Sequence, residues 1–345
     1  MKIAIDAMGG DDAPQVVVEG AKTALLEFSE IELLYLVGDK AQIQPLVDQY
    51  QLPVDRIEIV HTDEVVEMHE SGAKMLRKKK NSSISLATDL VKKGQASAVI
   101  GAGNTGAAVA NATIKLRTLE GVSKAAIASC IPNQYGSCML MDAGANPDPK
   151  PENIVESGFM GAIYAASTCD LSSKPKIGIM SNGEEEEKGT AFTKEAHALM
   201  KKVVDSGQEL PFEYVGYVEG RDLFLADLQV CLTDGFTGNV MLKTAEGLAK
   251  GMSGWIKEEY KKSPFRMLAG LLSKGVFASV KERTSHERVG GSLLLGVKGI
   301  CVIAHGSSSA FAIHNAIGLG VRSVSKEINP QIVSAMKTLH SLSEA

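Results

Sequence analysis

The sequence predicts an α/β protein: a mostly parallel sheet covered by helices on both faces, built as one continuous three-layer α/β/α unit over residues 1–345. Three observations predict it. Short apolar runs that read as strands alternate along the chain with segments of helical period. Most of those runs end in a glycine-rich polar turn, and no Pro/Ser-rich linker, internal repeat or low-complexity tract separates them. Composition agrees, since 44% hydrophobic residues, 22% charged residues and 34 glycines in 345 describe a globular chain with many tight turns.

Lys2–Asp6 is the first strand and runs into Asp6-Ala7-Met8-Gly9-Gly10-Asp11-Asp12-Ala13-Pro14, where Pro14 opens a helix over Gln15–Phe28. Glu32–Gly38 and Arg56–His61 repeat the strand signal, separated by a helical segment at Ala41–Tyr50. The basic run Leu76-Arg77-Lys78-Lys79-Lys80-Asn81-Ser82-Ser83 reads as a solvated helix face followed by a new cap, a place where a phosphate or an acidic partner can dock. Ala96–Ile100 leads straight into Gly101-Ala102-Gly103-Asn104-Thr105-Gly106 and a helix over Ala107–Leu116. This matches the Gly-x-Gly-x-x-Gly of dinucleotide sites, but the acid needed for the ribose is misplaced: Glu120 precedes the next strand, Ala125–Ile131, instead of ending it. The loop therefore reads as one built for phosphate or for close backbone approach.

Ser137–Asp142 is a strand that closes in Asp142-Ala143-Gly144-Ala145-Asn146-Pro147-Asp148, with a helix from Pro151. Lys176–Met180 ends in Ser181-Asn182-Gly183-Glu184-Glu185-Glu186-Glu187-Lys188-Gly189; the four glutamates suit a helix start, which would put Lys188 about one turn into that helix. Phe212–Val218 and Val230–Asp234 continue the sheet. Ser292–Leu295 and Ile300–Ala304 finish it in His305-Gly306-Ser307-Ser308-Ser309, which opens a last long helix.

The turn Thr233-Asp234-Gly235-Phe236-Thr237-Gly238-Asn239 carries the most chemistry. Its two glycines permit close approach, and Asp234, Thr237 and Asn239 place a carboxylate, a hydroxyl and an amide at one helix mouth. An anion or a polarised carbonyl fits there; so does an ordinary connection capped by Thr or Asn. Beyond it, Leu248, Met252, Trp255, Ile256 and Tyr260, then Phe265, Leu268, Leu272 and Val276, recur at helical spacing on either side of Pro264. This Lys243–Arg283 segment holds nine Lys or Arg against four Glu, a net of +5 in a chain of net −5. Such an amphipathic helix pair either packs on the sheet or a subunit contact, or lies in a membrane interface.

The acidic total argues against nucleic acid as a partner. Five cysteines, odd in number and without a Cys-x-x-Cys pair, fit buried free thiols in a reducing compartment. No apolar stretch approaches the ~18 residues of a spanning helix, and the first apolar run is too short for a signal peptide, so a cytoplasmic protein is expected. Nucleophile elbows, Walker loops and His-Glu-x-x-His are absent, and no ligand cluster of recognisable spacing implies a metal or other cofactor. Glycine-rich turns bearing hydroxyls and amides, with Lys188 and His305 as titratable additions, suit a reaction in which phosphate is itself the nucleophile. Phosphate is largely ionised near neutral pH and a thiolate leaves readily, its thiol pKa being only ~8.5. Positioning and electrostatics then supply most of the catalysis, with Lys188 neutralising phosphate and the Asn239 amide facing the carbonyl oxygen.

Six motifs in order resemble the bacterial PlsX family, phosphate acyltransferases of phospholipid synthesis: Asp6 to Asp11, Gly103 to Gly106, Asp142 to Asn146, Asn182 to Gly189, Thr233 to Asn239 and Ala304 to Ser308. The resemblance runs from Met1 to about Val324 and departs at Met68-His69-Glu70-Ser71-Gly72-Ala73, where the family usually carries Pro and Arg. It implies a Rossmann-like fold akin to isopropylmalate dehydrogenases and phosphotransacetylases, with a helical protrusion at about 244–283. It also implies acyl transfer from acyl carrier protein to inorganic phosphate, no cofactor, a homodimer, and a downstream glycerol-3-phosphate acyltransferase. Lys188 and Asn239 fall where the family's proposed catalytic pair lies. Phosphate or substrate contacts are expected at Asp6, Gly9, Gly10, Asn104, Thr105, Gly106, Asp234, Thr237, Gly238, His305, Ser307 and Ser308. Peripheral contact with anionic membrane is expected through Trp255, Phe265, Leu268, Leu272 and Val276. The rival expectations are a phosphotransacetylase-type enzyme using acyl-CoA and a non-catalytic membrane-associated scaffold.

Overall fold

In the computed structural model, which describes residues 1–169, 171–284 and 286–343, eleven strands join in one sheet. They are β1 (Lys2–Asp6), β2 (Leu33–Gly38), β3 (Ile57–His61), β4 (Ala98–Gly101), β5 (Ala126–Asn133), β6 (Gly136–Met141), β7 (Lys176–Met180), β8 (Glu213–Val218), β9 (Val230–Leu232), β10 (Ser292–Leu295) and β11 (Ile300–Ile303). The helices are α1 (Gln15–Glu27), α2 (Lys40–Tyr50), α3 (Gly72–Lys78), α4 (Ser83–Lys92), α5 (Thr105–Asn111), α6 (Pro151–Thr168), α7 (Ala191–Asp205) and α8 (Asp222–Leu225), then α9 (Gly235–Lys261), α10 (Pro264–Leu272), α11 (Lys274–Thr284), α12 (His286–Val289), α13 (Ala310–Ser325) and α14 (Ile328–Ser343).

Strand order is β3-β2-β1-β4-β11-β10-β5-β6-β9-β7-β8. Most neighbours run parallel, and the strands carry the near-continuous apolar runs of a sheet buried on both sides. Side chains alternate between the faces with a period of two. Ile3, Ile5, Leu34, Leu36 and Ile100 turn toward one face and join α1, α2, α6, α7, α13 and α14 in a single core. Ala4, Tyr35, Val37, Val99 and Cys301 turn toward the other, where α3, α4 and α5 cover them. That division makes the three layers.

Three antiparallel pairings interrupt the sheet, at β11–β10, β10–β5 and β5–β6. Because their number is odd, the block β6-β9-β7-β8 runs opposite to the block β3-β2-β1-β4-β11. The two blocks point their carboxyl ends in opposite directions, but the register staggers them: Ile303 pairs with Ser292, Leu293 with Ala128, Ala128 with Met141 and Met141 with Leu232, so β11, β6 and β9 end at nearly one level across the seam.

Several local expectations need correction. The segment from Ser181 to Thr190 is loop, not helix start: Gly189 takes φ +88°, Thr190 caps α7 by accepting the Thr193 N–H, and Lys188 precedes the helix. Helix α9 is capped by Asp234, not by Thr or Asn, and begins at Gly235, so Thr237 and Asn239 lie inside its first turns. The amphipathic segment is three helices, not a pair, and α13 is followed by α14 rather than ending the chain's structure. Three cysteines are buried and free, with burial pushing the thiols of Cys138, Cys231 and Cys301 upward; Cys130 and Cys169 are half-buried.

From 244 to 282 no described residue is buried. Helix α9 spans 27 residues, about 40 Å at 1.5 Å per residue, and its distal part leaves the sheet. Helix α10 folds back on it: Gly270 lies under the Tyr260 ring, Tyr260 meets Phe277 edge-on at 5.4 Å, and Arg266 pairs with Glu259 at 2.7 Å. Packing of this segment on its own sheet is thereby excluded for the described residues. Among them, no helix is long and apolar enough to cross a membrane.

Candidate active site

A cavity of about 140 Å³ lies at the seam between the two oppositely running blocks. Its floor is Ile127, Ser129 and Cys130 of β5 and Ser292 of β10, and its walls come from strand ends and helix starts that lie far apart in sequence. Thr105 opens α5 after β4; Ala304, His305 and Ser308 follow β11; Asn239, Leu242, Lys243 and Glu246 come from α9. The α9 spacing of three, one and three residues puts all four side chains on one helix face. Ile127, Ala143, Leu242, Val289 and Ile303 make most of the wall apolar, while Thr105, Asn239, Lys243 and His305 are exposed to solvent at its rim.

Each polar group has a definite setting. His305 Nδ1 accepts from the Ser307 N–H at 3.3 Å and lies 2.9 Å from the Ser307 hydroxyl, which ties the ring to the turn that follows it. Lys243 Nζ pairs with Glu246 at 2.9 Å on the cavity side of α9. Ser308 is buried and its N–H closes a turn onto the His305 carbonyl. Among the described residues, the Asn239 amide has no hydrogen-bond partner, so both its donors and its acceptor remain available.

Of the residues expected from sequence, Thr105, Asn239, His305 and Ser308 meet in this cavity. The others surround it or stand away. Gly9 lies against the Gly103 backbone, where an added Cβ would come within 2.7 Å of its nitrogen; Gly10 lies on the Gly306 carbonyl, and Asp11 N–H bonds to that carbonyl at 2.8 Å. A Cβ added to Gly72 would lie 2.2 Å from the Gly106 carbonyl carbon. The Gly101–Gly106 loop is thus a close-approach loop whose approaching partners are other parts of the chain. Asn104 is engaged at both ends: Oδ1 accepts the Ala107 N–H at 2.9 Å, and Nδ2 donates to the carbonyls of Glu67, Met68 and Glu70. Asp6 is buried beneath these loops and accepts the Met8 N–H at 3.2 Å; burial raises its carboxyl pKa from 3.8 to about 6.

Asp234 and Thr237 are bonded to each other, through the Thr237 N–H at 2.8 Å and hydroxyl at 2.7 Å, and Gly238 packs on the Asp142 carbonyl. Lys188 does not line the cavity. It lies in the loop after β7, with its stem over Gly183 and its N–H on the Glu185 carbonyl. Sequence reasoning missed Ser129, Leu242, Lys243 and Glu246. For the three on α9 the helical spacing from Asn239 was the signal; nothing local marked Ser129. Among the described residues, no group of three or more His, Cys, Asp or Glu side chains is arranged to hold a metal ion.

The family described as "Fatty acid synthesis protein" matches residues 1–331. A phosphate acyltransferase of Akkermansia muciniphila is 51% identical over 344 residues, covering 100% of this chain and 98% of that protein. A phosphate acyltransferase of Geotalea daltonii is 41% identical over 337 residues, covering 98% and 94%. Among solved structures, a phosphotransacetylase from Streptococcus pyogenes superposes with a TM-score of 0.62 at 17% identity, covering 94% of each chain, which is a likeness of fold.

Proposed function

The chain belongs to the fatty acid synthesis protein (PlsX) family, and from that premise we propose that it is an acyltransferase moving a long-chain fatty acyl group from acyl carrier protein to inorganic phosphate. The product is an acyl phosphate that a glycerol-3-phosphate acyltransferase consumes on the way to phosphatidic acid. The observation that carries the reading is the seam cavity: an uncommitted amide, an imidazole, the hydroxyls of Thr105, Ser129, Ser292 and Ser308 and a lysine converge on a small, mostly apolar chamber. At about 140 Å³ it is smaller than the ~300 Å³ at which pockets for whole drug-sized ligands begin, so it holds the thioester end and leaves the chain outside.

In this chamber a phosphate oxygen attacks the thioester carbonyl carbon directly. Charge builds on the carbonyl oxygen, and the Asn239 amide donates to it; the carbon–sulfur bond then breaks and the thiolate leaves. Donors placed where charge develops are worth about 10²–10³ in rate each. Thr105 and Ser308 hold phosphate oxygens. Its charge is met by Lys188, as the family motif implies, or by Lys243, which faces the cavity in a single chain. Helices α9, α10 and α11 form a protrusion over about 244–283 from one α/β/α domain. They rest on the membrane's anionic cytoplasmic face through Trp255, Phe265, Leu268, Leu272 and Val276, all exposed, Phe265 at 82% and Leu272 at 79%. The working form is a homodimer.

Purified protein incubated with palmitoyl-ACP and phosphate yields palmitoyl phosphate by mass detection, and Asn239→Ala lowers the rate at least tenfold. Lys188→Ala and Lys243→Ala identify the lysine by which of them raises the KM for phosphate. Turnover of acetyl-CoA with no reaction of palmitoyl-ACP would replace this reading by the phosphotransacetylase type; no turnover of either would leave the scaffold.

A further inference from the structure

Asp142 is only 3% exposed and lies immediately after β6. Its Oδ1 accepts the N–H groups of Ile127 at 3.0 Å, Gly144 at 3.0 Å and Ala145 at 2.9 Å. Its Oδ2 accepts the Asn146 N–H at 2.7 Å and the Asn146 side-chain amide at 3.0 Å. Five donors thus converge on one carboxylate, and none of the ion pairs among the described residues involves it. A buried charge met only by neutral N–H dipoles is costly to leave short of any of them, so the arrangement holds residues 142–146 to one shape.

That loop is the seat of α9. Gly235 N–H donates to the Asn146 carbonyl at 2.8 Å, and Gly238 sits so close to the Asp142 carbonyl that an added Cβ would lie 2.0 Å from its oxygen. Gly144, at φ +134°, runs beneath Asn239: a Cβ built on it would be 3.4 Å from the Asn239 Cβ, 3.5 Å from Cγ and 3.8 Å from Oδ1. The Ile127 bond ties the same carboxylate to the cavity floor. One side chain therefore spans the floor, the loop and the helix that carries the amide.

We propose that Asp142 is a positioning residue for Asn239, setting the distance between that amide and the floor on which the thioester carbonyl rests. The proposal rests on the role given to Asn239 above. An amide that stabilises charge only in the transition state loses rate, not substrate affinity, when displaced, and a displacement near 1 Å can cost about 10² in rate.

The test is Asp142→Asn in the full-length protein, which keeps the shape but puts an N–H group where the loop requires an acceptor. Expected is a kcat at least tenfold lower, with KM for palmitoyl-ACP and for phosphate within twofold of wild type. In the double variant with Asn239→Ala, kcat is expected within twofold of Asn239→Ala alone, because one group acts through the other. A kcat within twofold of wild type, a KM that rises as kcat falls, or losses that multiply in the double variant would each overturn the proposal. If Asp142→Asn does not fold, Asn146→Ala, which removes one of the five donors and the bond to the Ala125 carbonyl, is held to the same criteria. Hydrogen exchange separates this claim from the reaction itself. Exchange across 143–146 and 235–242 rises in Asp142→Asn whatever the substrate, and unchanged exchange overturns the clamp; a wild type inert toward phosphate overturns the reaction alone.

Discussion

Replacing Asp6 with Asn removes a carboxylate that the fold carries at a cost. Asp6 is 5% exposed, and loss of hydration raises its pKa from 3.8 to about 6 against the opposing pull of the Ser83 hydroxyl and of the Met8 and Gly9 N–H groups. A shift of roughly two units, at 1.36 kcal/mol each, is about 3 kcal/mol of preference for the protonated form in the folded state. The sign follows from proton linkage. The folded pKa lies above the unfolded one, so this contribution is fully present below pH 3.8 and is lost as pH rises through about 6. Asn keeps the acceptor without the charge. Guanidinium unfolding of both proteins should therefore give nearly equal stabilities near pH 4, with the variant ahead by up to about 3 kcal/mol at pH 7.5. A gap that does not change with pH, or that opens toward acid, would refute the reasoning, since it would put the folded pKa at or below 3.8.

Two further outcomes follow from packing and exposure. Gly238→Ala drives a methyl into the Asp142 backbone carbonyl, where no side chain can yield, and is expected to cost about 1–3 kcal/mol or more and to lower activity, seen as a reduced denaturation midpoint and slower turnover. Leu268→Glu with Leu272→Glu alters two exposed positions of α10, so stability should stay within about 0.5 kcal/mol of wild type while flotation with phosphatidylglycerol vesicles is lost; retained flotation would remove the lipid reading of the protrusion.

The strands were legible because a sheet buried on both faces writes itself as apolar runs closed by glycine turns; β1 and β7 fall on the residues the sequence indicates. Direction was not legible. Nothing in Ser292–Leu295 says that it pairs antiparallel to both its neighbours, since an apolar run of four residues serves either sense and its partners are far away in sequence. Four glutamates before Lys188 satisfy a helix dipole, but Gly189 in the left-handed region and the Thr190 cap delay the helix to Ala191. At the site, Asn239, Thr105, His305 and Ser308 could be named because each ends or follows a strand turn, whereas Lys243 and Glu246 looked like ordinary charges on an amphipathic helix until Asn239 fixed which face mattered. Asn104 illustrates the opposite limit. Its place in a glycine loop suggested a ligand, and its bonds to three carbonyls of residues 67–70 depend on a fold contact that no spacing encodes.

The adjacency of β4 and β11 has a consequence for synthesis. Ala98 pairs with Ile300 and Gly101 with Ile303, so the inner edge of the amino-terminal block waits for a strand about 200 residues later in the chain. At 5–20 residues per second that wait lasts about 10–40 s, during which β1 to β4 present an apolar strand edge with no neighbour. The emerging polypeptide must therefore pass through a long interval in which its amino-terminal block is built but unsealed, shielded only by whatever meets it at the ribosome. Arrested chains released before residue 300 should be cleaved by protease around β4, and chains carried past residue 310 should resist.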